Sequence, residues 1–241
     1  MTIQPFRFQR FSVAHDKCAM KVGTDGVLLG AWASVAQRMR ILDVGTGSGL
    51  IALMLAQRTE SNSASIMGIE IDRLAFEQAL DNSKNSPWSD RVAIQHLAFE
   101  QFVENVPRAK LDLIVCNPPY FDCGTAPADS RRMAARNSKQ LDRKSLFAGA
   151  IKLLSESGIL SVVLPFEQYE ESVALAQQFD LHEARTTFVR PTPGQAFKRV
   201  LIEFGFEKRE TVNEEFFVET SRHQYSDEFA ELLGDFYLRY A

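Results

Sequence analysis

The chain has 241 residues, 45 % of them hydrophobic and 24 % charged, with a formal net charge of −4. That mixture excludes wholesale disorder, a collagen-like chain and a uniformly basic nucleic-acid coat. Three cysteines (Cys18, Cys116, Cys123) without a CxxC pair predict neither a disulfide framework nor a metal site, and no apolar run is long enough to span a bilayer. The expectation is a cytoplasmic, monomeric protein of one domain. An arm and helix fill 1–38, a core fills 39–206, and a C-terminal strand and helix fill 207–241.

From Met39 onward, strand-like and helix-like segments alternate. Met39 to Val44 reads as a buried strand, followed by a glycine-rich turn and an apolar helix over Leu50 to Ala56. Strands follow at Ser65 to Glu70, Arg91 to His96 and Leu111 to Cys116, with a helix over Leu74 to Asn82. This rhythm predicts an α/β fold with a mainly parallel sheet and helices on both faces. Asn117 to Asp142 breaks the rhythm and reads as a long functional loop. A helix is expected over Leu146 to Leu154, ending at Gly158 in a left-handed turn, then a strand over Ile159 to Leu164 and a helix over Glu167 to Gln178. Leu181 to Val189 and Arg199 to Phe206 alternate as an antiparallel edge pair joined by a turn at Pro191 to Gly194. Phe229, Leu232, Leu233 and Phe236 stand at helical spacing, so a helix is expected over Asp227 to Leu238.

Two motifs carry chemistry. Asp43-Val44-Gly45-Thr46-Gly47-Ser48-Gly49 joins a strand to a helix, and its glycines allow close backbone approach to a ligand. Glu70 ends the next strand, about twenty residues on, where an acid accepts hydrogen bonds from ribose hydroxyls. The spacing is G-x-G-x-G, with Leu50 where a dinucleotide fingerprint would have its third glycine. The second motif, Asn117-Pro118-Pro119-Tyr120, follows the fourth strand and therefore lies beside the glycine turn. The Asn117 side-chain oxygen and the Pro118 carbonyl can accept hydrogen bonds from a planar amino group. Acceptors placed so stabilise charge developing on its nitrogen. Pro119 stiffens the corner, and Tyr120 offers a face for stacking.

The glycine turn resembles motif I of the class I S-adenosylmethionine-dependent methyltransferases, and Asn117 to Tyr120 resembles motif IV of amino-group methyltransferases. The resemblance implies a Rossmann-like fold with a seven-stranded, mostly parallel sheet and an antiparallel edge strand. It also implies that Asp43 orients the methionine part, that Gly45, Thr46, Gly47, Gly49 and Asn117 line the cofactor, and that Glu70 holds its ribose. Many relatives place an acid after the third strand. Here Ala98 stands there, so the cofactor adenine is expected on backbone atoms and on Phe99, with Glu100 as the alternative.

Lys21-Val22-Gly23-Thr24-Asp25-Gly26, with Tyr225 to Phe229 and Asp235 to Leu238, resembles the bacterial tRNA (adenine-N6)-methyltransferases that modify adenine 37 of a valine tRNA. The resemblance implies that Gly23, Thr24 and Asp25 lie over the cofactor. Thr24 or Asp25 is equally expected as a helix cap. Charge points independently to RNA. Six basic residues (Arg131, Arg132, Arg136, Lys139, Arg143, Lys144) meet one acid over 131–144, four meet one acid over 1–21, and four meet none over 185–200. The alternatives are a glutamine methyltransferase of release factors, a DNA or ribosomal RNA amino-methyltransferase, and a non-catalytic RNA-binding protein. The first usually carries a larger helical domain ahead of the glycine turn, where this chain has only 42 residues before Asp43.

Overall fold

The structure is a computed structural model, and it describes residues 4–106, 110–118, 141–222 and 224–238. Its elements run β1 (Phe6–Arg7), β2 (Ser12–Val13), α1 (Thr24–Trp32), β3 (Arg40–Val44), α2 (Leu50–Arg58), β4 (Ser65–Glu70), α3 (Arg73–Lys84), β5 (Val92–His96), α4 (Phe99–Asn105) and β6 (Leu111–Cys116). Then come α5 (Arg143–Leu153), β7 (Leu154–Pro165), α6 (Tyr169–Gln177), β8 (His182–Arg190), β9 (Arg199–Gly205), β10 (Val212–Phe217), β11 (Glu219–Ser221), β12 (Gln224–Tyr225) and α7 (Asp227–Leu233).

The main sheet has the order β10-β8-β9-β7-β6-β3-β4-β5. Strand side chains alternate between two cores, as the period of two requires. Ile41, Leu113, Val115 and Leu201 join α1, α2, α3 and α7 on one face. Leu42, Ile114, Leu160 and Ile202 join α4, α5 and α6 on the other. The chain winds outward from β3 through β4 to β5, then returns to place β6 on the other side of β3. The strand order therefore reverses between β3 and β6, where ligands of open α/β sheets bind. Register sets what meets there. Val44 pairs with Ile69 and with Cys116, so Gly45, Glu70 and Asn117 leave the sheet side by side.

Three expectations change in detail. The antiparallel strand β9 is not at the edge: it lies between β7 and β8, and an eighth strand, β10, pairs parallel to β8. Gly158 does not close a helix in the left-handed region. Strand β7 already starts at Leu154, and a Cβ on Gly158 would stand 2.7 Å from the Leu111 carbonyl oxygen, so close strand packing explains the glycine. Helix α7 stops at Leu233, before Gly234, and the chain turns so that the Phe236 carbonyl accepts from the Gln9 N–H. That turn seats the N-terminal arm. Phe6 and Phe8 pack on Tyr237, and Gln9 Nε2 donates to the Gly234 and Tyr237 carbonyls.

Candidate active site

The glycine turn is held from below. Asp43 is fully buried, and its Oδ2 accepts from Thr46 Oγ1 at 2.6 Å and from the Ala52 N–H at 3.1 Å. Its Oδ1 is buried without a partner among the described residues, and burial pushes the carboxyl up to about 7. Gly45, Gly47 and Gly49 all have positive φ, where a side chain is strained. Gly49 also lies against α3, its would-be Cβ 3.5 Å from Ala79 Cα. A Cβ on Gly45 would meet no atom of the described residues within 4 Å, so among them that backbone faces open space.

Glu70 faces the same space and is 8 % exposed. Its Oε2 accepts from the Gly47 N–H at 2.9 Å, and its Oε1 from the Ile71 and Asp72 N–H groups at 2.8 Å each. These three bonds fix the carboxylate and leave part of its capacity of about four acceptor positions for a ligand hydroxyl.

Two cavities open here. One, about 250 Å³, is bordered by Glu70, Ile71, Leu97, Ala98, Phe99 and Pro118. The other, about 680 Å³, is bordered by Gly23, Thr24, Asp25, Thr46, Val189 and Lys198 among others. They share Met20, Gly45, Gly47 and Asn117. Asn117 therefore stands at their junction, and its side chain makes no hydrogen bond among the described residues.

Of the residues expected at the cofactor, Asp43 and Gly49 border neither cavity. Asp43 braces the turn and Gly49 permits its close approach to α3. Thr24 and Asp25 do not cap α1: Gly23 is the N-cap, with no side-chain cap bond. Instead both Asp25 carboxylate oxygens accept from Arg199 Nε, at 2.9 and 2.8 Å. Pro119, Tyr120, Arg131, Arg132, Arg136 and Lys139 lie outside the described residues. Lys144 is exposed. Arg143 is turned inward, where it donates to Glu171 and Ser172.

The sequence reading missed the strap over the junction. Residues 14–17 are tied to α3 through Asn82 and Gln78. The His15 ring Nδ1 accepts from the Val22 N–H, and Lys21 Nζ donates to the carbonyls of His15, Asp16 and Cys18. These bonds carry Cys18 and Met20 to the cavity wall. Burial pushes the Cys18 thiol up to about 11 and raises Cys116 as well, so both stay neutral beside the site.

A sequence model of the methyltransferase small domain matches residues 22–187, and full-length relatives agree with it. The chain belongs to the methyltransferase small-domain family. A protein of Christiangramia forsetii named tRNA1(Val) (adenine(37)-N6)-methyltransferase is 46 % identical over 241 residues, covering 99 % of this chain and 100 % of its own. Namesakes from Bacteroides fragilis and Trichodesmium erythraeum are 45 % and 40 % identical, each over 98 % of this chain and 99 % and 98 % of their own. Solved structures show the fold. An Agrobacterium tumefaciens protein described as a predicted O-methyltransferase superposes with a TM-score of 0.66 at 19 % identity, covering 87 % of this chain and 95 % of its own. Pyrococcus horikoshii TYW2, solved with MeSAdo, gives 0.57 at 12 % identity, covering 84 % of this chain and 70 % of its own. Membership in the family makes S-adenosylmethionine the cofactor of this chain. The site suits it, because the open face at Gly45 and the part-used Glu70 carboxylate match a ligand that brings both a close approach and ribose hydroxyls.

Proposed function

We propose that this chain methylates the N6 amino group of adenine 37 in the anticodon loop of a valine tRNA, as one cytoplasmic, monomeric domain. The observation that carries the reading is Asn117 at the junction of the two cavities, in a chain matched end to end by relatives of that name. An adenosine fits the smaller cavity, with Glu70 on the ribose, Ile71 against the ring and Ala98 and Phe99 beside the adenine. The larger cavity receives the methionine tail near Gly23 and Thr46, and the target base near Val189.

When bound, the cofactor supplies an electrophilic methyl group on a sulfonium. Asn117 Oδ1 and the Pro118 carbonyl accept from the target amino group, hold its nitrogen in line, and stabilise the positive charge it gains, until one N–H proton leaves to solvent. Tyr120 stacks the base, and Pro119 stiffens the corner. Asp43 acts through the turn it braces, and Asp25 through Arg199. The neutral thiols of Cys18 and Cys116 do not compete for the methyl group, since the thiolate is the nucleophile. An anticodon-loop adenine is already single-stranded, so presenting it avoids the cost of opening a duplex. Arg131, Arg132, Arg136, Lys139 and Lys144 contact phosphates in this reading, and Arg143 orders the start of α5.

The test supplies labelled S-adenosylmethionine with bulk tRNA, ribosomal RNA and release factor in separate reactions. Label in the tRNA alone is expected. Label in the release factor alone would replace this reading by the glutamine methyltransferase.

A further inference from the structure

The larger cavity has four basic residues on its border: Lys21, Arg190, Lys198 and Arg199. Three have committed donors. Lys21 caps three carbonyls of the strap, and Arg199 pairs with Asp25. Arg190 pairs with Glu215 at 3.1 Å and lies over the Phe197 ring, its guanidinium carbon 3.9 Å from the centroid. Lys198 is exposed, and its ammonium makes no ion pair or hydrogen bond among the described residues.

The backbone of Lys198 is nevertheless fixed. Its N–H donates to the Val189 carbonyl at 2.9 Å, and its carbonyl accepts from the Phe166 N–H and from Arg199 Nη1. The turn it closes is braced by Phe197, packed on Phe166 and Phe188, and by the Glu219 N–H donating to the Pro191 carbonyl. A free ammonium on a rigid base, beside a cavity that also holds Asn117, suits a phosphate: a point charge with rotatable donors on a flexible stem.

We propose that Lys198 is a positioning residue that grips an RNA backbone phosphate beside the target nucleotide, in the larger cavity. The inference rests on the RNA methyltransferase reading above. Lys198 touches neither the amino group nor the methyl donor, so its loss weakens RNA binding and spares the chemical step.

The experiment compares wild type with Lys198→Ala and Lys198→Arg. It measures the Kd of a labelled tRNA transcript across salt concentrations, the Kd of S-adenosylmethionine, and single-turnover methyl transfer at saturating RNA. One phosphate contact on a single strand contributes about 0.7 to the slope of log K against log salt, which is about four-fold in affinity near 0.15 M salt. Lys198→Ala is therefore expected to bind tRNA about four-fold more weakly, with a slope smaller by about 0.7, unchanged cofactor affinity and unchanged single-turnover rate. Lys198→Arg restores affinity and slope. Unchanged tRNA affinity and slope in the alanine variant would overturn the proposal. So would weaker cofactor binding with unchanged tRNA binding, because Lys198 would then serve the methionine carboxylate. The functional reading fails separately: wild type that binds tRNA but transfers no methyl group to it would remove that reading, while the Lys198 contact is judged on binding alone.

Discussion

Two turns border the larger cavity, and they are built on opposite principles. The glycine turn, Gly45 to Gly49, is local. Three residues with positive φ, a carboxylate three residues from its hydroxyl donor and a second carboxylate at the next strand end make it a close-fitting backbone cradle. The turn between β8 and β9 is made by long-range pairing. Arg190 reaches Glu215, Arg199 reaches Asp25, and Phe197 fills the space against Phe166. The first suits a ligand that approaches the main chain closely. The second suits a larger, anionic partner that meets side-chain charge, and its own arginines are mostly spent on shaping it. The neighbouring Arg185 follows the same rule: it lies over Trp32 and pairs with Glu214.

The contrast is broken most severely at the residue between the two turns. Asn117→Ala is expected to lower single-turnover methyl transfer by at least about 100-fold, a magnitude typical of losing a donor or acceptor aimed at developing charge. Calorimetry should find cofactor affinity within about two-fold of wild type. A parallel loss of cofactor binding would place Asn117 in the cradle instead. Next in size, Gly49→Ala strains a left-handed backbone position against Ala79 and should cost about 1–2 kcal/mol in urea unfolding. Its effect on cofactor affinity should exceed its effect on tRNA affinity.

Arg199→Ala tests the other turn. The pair with Asp25 is partly exposed, so a double-mutant cycle with Asp25→Ala should read a coupling of about 1 kcal/mol. Here tRNA affinity should fall more than cofactor affinity, the reverse of the glycine variant. The remaining effect is a slope. The Asp43 carboxyl is raised from 3.8 to about 7 in the fold. Its protonated form is therefore favoured by folding. That contribution is complete below about pH 4 and is lost as pH rises towards about 7. Asp43→Asn should flatten this part of the stability profile, seen as a urea midpoint that changes less than wild type between pH 5 and pH 8. An unchanged profile would mean that Asp43 is ionised in the fold at all these pH values.

The same contrast explains what the sequence made legible. The glycine turn, Glu70 and the Asn117 corner are short motifs on adjacent strand ends, and strand–helix alternation was enough to bring them together. The Asp25–Arg199 pair joins residues 174 apart in sequence, and nothing in local spacing announces it. Asp25 therefore read as a cofactor neighbour or a helix cap, and the basic run over 185–200 read as phosphate contacts. Most of that run is paired internally, which leaves Lys198. The edge was misplaced for a similar reason: alternation identifies β8 and β9 as strands but does not say which neighbour each takes. His15 and Lys21 are ordinary residues in the sequence, and their work as clasps of the strap depends on carbonyls that only the folded chain brings into reach.

In the proposed function, the junction at Asn117 passes a methyl group to one adenine amino nitrogen. Position-resolved nucleoside mass spectrometry decides this, on a synthetic valine tRNA incubated with the protein and S-adenosylmethionine, beside the same transcript carrying guanine at position 37. N6-methyladenosine at position 37 of the first transcript and no methylated product from the second are expected. Equal methylation of both transcripts, or methyl at a ring nitrogen, would contradict it.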